Sequence, residues 1–443
     1  MPGPRVIPVH SDPDLPTRVD VVVIGGGIIG CSTALELAEA GLKVALCEKG
    51  EIAHEQSSRN WGWVRISRRD PREIPLMAEA LRIWPDLNER TGREVGYRKA
   101  GIMFACHSDK DLSNNEKWAE HARPFQIESK VLTGRAFADV MPGCDEGVKG
   151  GLFTSADGRA EPQWAAPAIA EAARDRGASI LTRCAVRTVE TSAGKVSGVV
   201  TEKGAIACDA VVLAGGAWSR LFSGNAGIAL PQLKVLNTVM RTDPLDGGPE
   251  AAYWSDDFAF RKRADGGYTV ANGSINVVDI VPDSFRLAMA FLPALMHDWR
   301  DLRFRLGGRF MTEASTRRRW TGADVTPFEE TRVLDPQPSE RVMKKTLAAA
   351  AKAFPIFAKA KIAQSWAGMI DVTPDAVPVI SAVDALPGFH IATGFSGHGF
   401  GIGPAAGRLM AQIVLGKTPC VDPHPYRFGR FTDGSQVAPD DGF

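Results

Sequence analysis

The first patterned part of the chain is a short apolar run, followed by glycines and then by helical spacing. Residues 19–24 are rich in β-branched side chains, as in a strand buried in a parallel sheet, and residues 28–39 repeat apolar positions with a helical period. Gly41 predicts the end of this helix, and a second β run over 43–47 ends at Glu48. The pattern predicts a βαβ unit with a sharp turn at residues 25–30.

The pattern beyond Glu48 does not complete a parallel sheet in the N-terminal half. Helices are predicted over 73–90, 109–123, 163–176, 284–298, 339–353 and 404–415. Strands are predicted over 97–106, 186–190, 195–201, 205–213, 363–370, 377–381 and 389–394, and residues 231–272 are strand-rich. The runs over 186–213 are expected to form an antiparallel meander. In the last helix, Pro404 suits the first turn and Gly416 the C-terminal cap.

Composition excludes several classes of protein. At 443 residues, with 44% apolar and 23% charged residues, the chain is typical of a globular protein of two or three domains. Lys and Arg balance Asp and Glu at 52 each, so no nucleic-acid partner is indicated. Seven scattered cysteines without a C-x-x-C pair, and eight histidines without ligand spacing, predict neither disulfides nor a metal site. We therefore expect a cytoplasmic protein without a membrane span, in which residues 1–18 form an extended lead-in.

The first glycine turn has the spacing of a dinucleotide-binding fingerprint. Gly25, Gly27 and Gly30 form G-x-G-x-x-G between strand and helix, and Glu48 follows at the tip of the next strand. Gly25 would allow the tight turn, Gly27 the approach of a pyrophosphate to the helix N-terminus, and Gly30 close helix–sheet packing. Glu48 would bind a ribose. The turn alone leaves NAD and FAD both open.

A second glycine-rich run, TGFSGHGFGIGPAAG, begins at Thr393. Together with VVVIGGGIIGCSTALELAEAGLKVALCEKG and DAVVLAGGAWS, it resembles the D-amino acid oxidase, glycine oxidase and sarcosine oxidase superfamily of FAD enzymes (DAO). The resemblance extends from about Asp20 to Gly416. It implies an α/β protein, α+β overall, with a Rossmann-like FAD-binding domain and a discontinuous second domain built on an antiparallel sheet. The FAD-binding domain is expected over 19–91, 151–225 and 355–443, and the substrate-binding domain over 92–150 and 226–354.

The resemblance also implies a reaction. Such enzymes oxidise the C–N bond of a small amine or amino acid (D-amino acid, glycine or N-alkyl amino acid type) by hydride transfer to flavin N5, and the imine hydrolyses. Two alternatives stay open: an FAD-dependent 2-hydroxy acid or polyol dehydrogenase, and an FAD-binding subunit of a hetero-oligomeric amine dehydrogenase. In the family the second glycine loop lies along the flavin ring, and a helix beginning near Gly403 would point its N-terminus at the ring. Side chains at Gly394, Gly397, Gly399 and Gly401 would obstruct that ring.

Candidate site residues follow from these motifs. Arg65 and His398 are the catalytic candidates, with Arg65 aligned to the arginine that anchors the substrate carboxylate in monomeric sarcosine oxidases. The substrate-binding candidates are Arg65, Trp61, Trp63, Trp254, Met369 and Phe400. The cofactor-binding candidates are Gly25, Gly27, Ile28, Ile29, Gly30, Glu48, Lys49, Ser57, Ser58, Arg59, Asn60, Trp61, Val186, Ala214, Gly215, Trp218, Gly394, Phe395, Ser396, Gly397, His398, Gly399, Phe400 and Gly401.

Three departures from the sarcosine oxidases bear on the assignment. Gly368 stands where those enzymes link the flavin to a cysteine, so non-covalent FAD is expected. Gly401 replaces a lysine that helps to hold the carboxylate, and the strand GGYTVANG has no lysine to activate oxygen. The electron acceptor, O2 or a quinone or another acceptor, therefore stays open, as do the exact substrate, its stereochemistry and the oligomeric state.

Overall fold

The structure is a computed structural model that describes residues 3–145, 147–299 and 302–440. The strands, in chain order, are β1 (Val21–Ile24), β2 (Val44–Cys47), β3 (Trp63–Val64), β4 (Arg98–Lys99), β5 (Ile102–Cys106), β6 (Ser129–Leu132), β7 (Gly150–Thr154), β8 (Gly158–Arg159), β9 (Ser179–Leu181), β10 (Val186–Ser192), β11 (Lys195–Thr201), β12 (Gly204–Ala207), β13 (Ala210–Leu213), β14 (Leu233–Thr242), β15 (Ala252–Trp254), β16 (Ala259–Lys262), β17 (Tyr268–Ala271), β18 (Asn276–Asp279), β19 (Leu302–Arg305), β20 (Ile362–Val372), β21 (Val379–Ala382) and β22 (Phe389–Thr393).

The α-helices are α1 (Ile28–Glu39), α2 (Gln56–Arg59), α3 (Ile74–Ile83), α4 (Leu87–Thr91), α5 (Asp109–Ala122), α6 (Gly134–Val140), α7 (Pro162–Asp175), α8 (Ser219–Asn225), α9 (Pro282–Arg286), α10 (Ala288–Asp298), α11 (Gly308–Ser315), α12 (Pro327–Glu330), α13 (Glu340–Ala353) and α14 (Gly399–Leu415). Short 3-10 turns lie at Trp84–Asp86, Arg123–Phe125, Gly216–Trp218, Pro355–Lys359, His424–Tyr426 and Phe428–Phe431. Within the described residues, no helix combines the length and apolar character needed to cross a bilayer.

A six-stranded sheet in the order β21-β22-β13-β1-β2-β9 forms the centre of the fold. All its neighbouring pairs are parallel except β21 with β22. In β1, Val21 and Val23 pack into the cluster beneath α1, α7 and α14, whereas Val22 and Ile24 face a second cluster with Phe389. Both faces are buried, so the strand is a continuous apolar run instead of an alternating one. The predicted Rossmann-like sheet is confirmed.

The predicted meander is confirmed with one change. Strands β10, β11 and β12 form a three-stranded antiparallel sheet. The single run predicted over 205–213 is two strands, because β13 leaves the meander and pairs in parallel with β1. The sequence pattern continues through the change of sheet because both strands are apolar.

The second large sheet has ten strands and is mostly antiparallel, with the path β19-β18-β14-β17-β16-β15-β5-β7-β6 and β20 paired to β14. This confirms the predicted fold class. Strands β7 and β20, which the predicted boundaries assign to the FAD-binding segments, pair in this sheet. The division into two domains at those boundaries stays a prediction.

Candidate active site

A cavity of about 750 Å³ lies at the carboxyl ends of the parallel strands. It is lined by residues that follow β1, β2, β13 and β22, which are neighbours in the sheet: Gly25, Glu48, Gly215 and Phe395. Ligands of open α/β sheets bind at this edge, and cofactor cavities commonly measure about 300–1,000 Å³. The cavity therefore has the position and the size for a dinucleotide.

The first glycine turn brings the N-terminus of α1 to this cavity. Gly25 has a φ of 111°, and a Cβ there would lie 2.4 Å from the carbonyl oxygen of Ala214. Gly27, Ile28 and Ile29 line the cavity, and Gly27 caps α1 without a side-chain hydrogen bond. The positive end of a twelve-residue helix therefore opens on the cavity, as an anion site requires. Gly30 lies behind the lining, where the turn leaves no room for a Cβ.

Glu48 and Lys49 lie beside this turn in the cavity wall. The Glu48 carboxylate accepts hydrogen bonds of 2.7 Å from the backbone N–H groups of Gly26 and Gly50, and its burial raises the pKa of the carboxyl. Lys49 bonds Glu55 at 2.9 Å and lies 4.4 Å from the ring centroid of Trp218. Glu48 is thus held against the turn, and its predicted contact with a ribose stays a prediction.

The segment around α2 lines the cavity next to the α1 N-terminus, through Ser57, Arg59, Asn60 and Trp61. Ser57 Oγ accepts a hydrogen bond of 2.8 Å from the Ile28 N–H. Arg59 is already paired with Asp335 at 2.8 Å. Ser58 does not line the cavity: its side chain is buried and bonds back to the carbonyl of Glu55. The prediction that Ser58 contacts the cofactor is therefore wrong, because α2 turns that side chain inward.

The second glycine run lines the same cavity from Phe395 to Gly401, although the first turn lies nearly four hundred residues earlier. The predicted helix start near residue 403 or 404 is wrong, since α14 begins at Gly399 and is capped by His398. Gly394 does not line the cavity; its φ is 76° and its N–H donates to the buried Asp371 carboxylate at 2.7 Å.

Two glycines of α14 lie close to other elements of the protein, and the prediction that side chains in this run would obstruct the flavin ring stays a prediction. A Cβ at Gly401 would lie 3.0 Å from the carbonyl oxygen of Trp63, and one at Gly407 would lie 2.4 Å from the Ser32 Cβ. These glycines let α14 pack closely on β3 and α1. Gly397 is different, because its φ is 87° and only Ile370 approaches an added Cβ, at 3.8 Å.

The remaining predicted cofactor residues, Val186, Ala214, Gly215 and Trp218, also line the cavity. They come from the start of β10 and from the end of β13 with the 3-10 turn behind it. Which of these residues contact a cofactor stays a prediction.

Arg65 lies in the turn that follows β3 and lines the cavity. Its guanidinium donates to the carbonyls of Ser67 and Arg68 and lies 3.4 Å from His398 Nε2. Within the described part of the chain, no carboxylate oxygen forms an ion pair with it. Burial and the neighbouring Arg69 lower the pKa of Arg65 to about 9, which leaves the guanidinium charged at neutral pH.

A buried carboxylate holds this turn in place. Asp157 is fully buried and accepts hydrogen bonds from the Ile66 N–H, at 2.6 Å, and from the Ser67 hydroxyl. Burial raises the pKa of Asp157 to about 6 against the effect of these donors and of Arg65. The hydrogen bonds to Asp157, which does not line the cavity, therefore hold the Arg65 turn in position.

His398 joins Arg65 to a second buried carboxylate. His398 Nδ1 lies 3.0 Å from Glu73 Oε2, and the Glu73 side chain is 1% exposed. Burial would raise the pKa of Glu73, but His398, Arg69 and Arg65 outweigh it and lower it to about 2. Burial and Arg69 lower the pKa of His398 to about 4, so the ring is neutral at pH 7. A carboxylate accepts only, so the ring proton is on Nδ1, and the Nε2 lone pair faces an Arg65 N–H.

Aromatic side chains form the walls around Arg65. Trp61 and Trp63 meet edge to face with ring centroids 5.1 Å apart, and both line the cavity with Trp254 and Phe400. Met369 does not. It lies on the other face of β20 with Leu236 and Ala367, whereas Gly368 and Ile370 face the cavity. The prediction that Met369 binds substrate is wrong because alternate strand residues point to opposite sides.

Several cavity residues escaped the sequence analysis. Arg68 lies over the neighbouring rings of Phe104 and Trp254, with its guanidinium carbon 5.5 Å from each ring centroid. Arg68 belongs to the same polar stretch as Arg65 and could have been found there. Phe104 comes from β5, and Asn237 from β14, strands whose apolar pattern carried no functional signal. Glu73 and Asp157 belong to no motif, so their positions depend on the tertiary structure alone.

Comparison with known proteins gives a consistent result. The family model described as "DAO: FAD dependent oxidoreductase" matches residues 20–413. Mitochondrial sarcosine dehydrogenase of Mus musculus is 24% identical over 441 residues, which cover 97% of this chain but only 43% of that relative. This chain thus spans less than half the length of that protein. Glycine oxidase of Pseudomonas aeruginosa is 26% identical over 92% of this chain and 97% of its own.

Solved structures extend the comparison. The L-amino acid deaminase from Proteus myxofaciens, in complex with anthranilate, is 35% identical with a TM-score of 0.94, over 97% of this chain and 98% of that one. The L-proline dehydrogenase from P. horikoshii is 25% identical with a TM-score of 0.76, over 95% of this chain and 100% of that one. The fold therefore matches over nearly the whole length.

Proposed function

The chain belongs to the DAO family of FAD-dependent oxidoreductases, and from this premise we propose that it oxidises the C–N bond of a small amino acid. It is an amine or amino-acid oxidoreductase of that family. The finer proposal is a substrate with a free carboxylate, bound by Arg65 in the cavity wall. The single observation that supports it is the charged Arg65 guanidinium in the cavity wall, without an acidic partner in the described chain.

The residues of the cavity fit FAD. The α1 N-terminus at Gly27 opens on the cavity and would face the pyrophosphate, and Glu48 would face the ribose. The segment from Phe395 to Gly401 and residues Ser57 to Asn60, Ser58 excepted, would face the flavin part. Gly368 lies in the cavity wall, and we propose that FAD is held non-covalently.

FAD, when bound, supplies the acceptor for the hydride that the substrate carbon loses, and the resulting imine hydrolyses in water. The protein's own part is to bind and orient the substrate. Arg65 would hold the carboxylate in a charge-assisted contact, which fixes the face that the substrate presents. Trp61, Trp63 and Phe104 would exclude water around it, and the neutral His398 would keep an acceptor lone pair against Arg65.

An anaerobic substrate screen tests this proposal. FAD-loaded protein would be mixed with D- and L-amino acids, N-methyl amino acids, polyamines and 2-hydroxy acids, and the absorbance of oxidised flavin followed. We expect bleaching by an amino acid with a free carboxylate. Bleaching by hydroxy acids alone, or turnover only after a partner subunit is added, would instead support one of the two alternatives.

Substitution of Arg65 tests the anchor. Arg65→Ala should raise KM for the carboxylate substrate steeply. The substrate carboxylate would be buried without its charged partner, which costs about 2 to 5 kcal/mol. Arg65→Lys keeps the charge but loses the planar fork, so it should recover only part of the loss. Arg309→Ala, which removes an arginine outside the cavity, is the control. An unchanged KM in Arg65→Ala would remove Arg65 from the substrate site.

A further inference from the structure

Arg68 is a second cationic residue of the cavity wall, three positions after Arg65 in the turn that follows β3. Its guanidinium carbon lies 5.5 Å from the ring centroids of both Phe104 and Trp254, which also line the cavity. The turn joins the two arginines, because Arg65 donates to the backbone carbonyl of Arg68 at 3.2 Å. Arg65 has a role in the proposed function, and Arg68 as yet has none.

The backbone of Arg68 is strained. Its φ is 51°, in the left-handed region, which costs free energy for any residue other than glycine. Strain of this kind occurs at functional sites, where the surrounding structure maintains it. Here the Ser67 hydroxyl donates to the buried Asp157 carboxylate, and Arg69 donates to the Arg65 carbonyl at 2.9 Å. The conformation that presents Arg68 to the cavity is therefore fixed by hydrogen bonds on both sides of it.

The other charged groups near this turn are mostly engaged elsewhere. Arg69 pairs with the buried Glu73 at 3.4 Å, and the Asp157 carboxylate binds the backbone of the turn. Asp256 lines the cavity two residues after Trp254 and is exposed, and its carboxylate forms no ion pair within the described residues. The described wall around Phe104 thus carries the guanidiniums of two cavity arginines against one exposed carboxylate.

We propose that Arg68 binds a second anionic group of the substrate, so that the substrate is an amino acid with an acidic side chain. This rests on the proposed function, because that function places the α-carboxylate at Arg65. The guanidinium carbons of Arg65 and Arg68 lie 5.6 Å and 5.5 Å from the Phe104 ring centroid, so their separation cannot exceed the sum of these distances, about 11 Å.

A short diacid can span this separation. A carboxylate carbon in a bidentate contact lies about 4 Å from the guanidinium carbon. The two carboxylate carbons of a four- or five-carbon diacid are about 4–5 Å apart in an extended chain. An amino acid of the size of aspartate or glutamate is therefore long enough to reach both arginines.

The aromatic contacts of Arg68 suit this role. A guanidinium that lies over a ring uses its π face for that contact, so its N–H donors point outward in its own plane, where a carboxylate binds. A cationic side chain of a substrate would be repelled by the two guanidiniums, and a neutral one would gain no ion pair. We therefore expect discrimination between an acidic amino acid and its amide.

Binding of diacids that cannot be oxidised tests the inference apart from the reaction. Glutarate and pentanoate have the same number of carbons, lack an amino group and differ by one carboxylate. The full FAD-loaded chain is titrated with each acid in a calorimeter, and succinate and butanoate form a shorter pair. We expect one of the diacids to bind about 10- to 100-fold more tightly than its monoacid, because one charge-assisted contact separates them.

Variants assign this preference to Arg68. Arg68→Gln should weaken binding of the diacid about 10- to 100-fold and change binding of the monoacid little. Arg68→Lys keeps the charge without the planar fork, so it should retain part of the preference. Arg82→Gln alters an exposed arginine of α3 outside the cavity and should behave as the wild type. If Arg68→Gln loses FAD, the wild-type preference for the diacid alone decides.

Kinetics with amino acids separate this inference from the proposed function. We expect kcat/KM for glutamate or aspartate to exceed that of glutamine or asparagine about tenfold or more in the preferred enantiomer. A preference for the amides or for lysine, equal wild-type binding of diacids and monoacids, or an unchanged preference in Arg68→Gln would overturn the inference and leave C–N oxidation standing. Diacid binding through Arg68 without oxidation of any amino acid would refute the proposed function and leave Arg68 as an anion-binding residue.

Discussion

Replacing the Glu73 carboxylate by an amide tests whether this buried charge sets the position of Arg65. In the wild type, the Glu73 carboxylate can only accept, which keeps the proton of His398 on Nδ1 and the Nε2 lone pair towards Arg65. In Glu73→Gln the amide N–H can donate to Nδ1. The proton of His398 would then move to Nε2. Two hydrogen-bond donors, the His398 Nε2–H and an Arg65 N–H, would face each other, and the contact between them would be lost.

The size of the effect follows from the contacts. The 3.0 Å contact between Glu73 and His398 involves a charged acceptor, and such hydrogen bonds contribute about 1.5–3 kcal/mol. If this loss is transferred to Arg65, kcat/KM for the carboxylate substrate should fall roughly 10- to 100-fold, mainly through KM. Steady-state kinetics would compare that substrate with an amine of the same skeleton without a carboxylate, whose kinetics should change little.

Glu89→Gln is the matched control, because Glu89 is an exposed carboxylate on the neighbouring helix α4. The FAD content and the thermal transition of both variants show whether the fold is retained. The reasoning would be refuted if folded Glu73→Gln lost activity equally with both substrates, or lost none. Equal loss would indicate a general structural role for Glu73, and no loss would show that Arg65 holds its position without it.

Three further predictions concern the turn, a buried ion pair and pH. Gly30→Ala should abolish FAD retention, because a Cβ there collides with the backbone of its own turn. Flavin absorbance per protein measures the retention. Gly224→Ala, with no atom within 4 Å of the new Cβ, is the control and should retain FAD as the wild type does. Glu161→Gln should lower the free energy of unfolding, measured in denaturant, by about 3–5 kcal/mol, since it leaves the buried Arg261 guanidinium without its 2.7 Å carboxylate partner. The pKa of His398 lies near 4 in the folded protein and at about 6.5 in the unfolded chain, so the unfolded chain binds more protons between these values. The free energy of unfolding should therefore fall as pH falls through this window, and its slope against pH should be shallower in His398→Asn.

The glycine-rich run near the C-terminus shows where local pattern misleads. Glycine has a low helix propensity, so residues 399–403 were expected to be a loop, yet α14 begins at Gly399. Its glycines face neighbouring elements: a Cβ at Gly403 would lie 3.1 Å from Ile28, and one at Gly407 would lie 2.4 Å from Ser32. Close packing against α1 outweighs the propensity, and this contact joins the two ends of the chain.

The sequence by itself determined the central βαβ unit, the Rossmann-like sheet and the two glycine runs that line one cavity. These depend on short-range patterns of apolar spacing and on turns that only glycine can make, and such patterns are legible in single segments. The tertiary structure alone decided that Met369 faces away from the cavity, that Glu73 reaches His398 across 325 positions, and that none of the described side chains of α10 is buried. Each of these depends on which distant elements come into contact, and a side chain's neighbours across such distances leave no periodicity in the sequence.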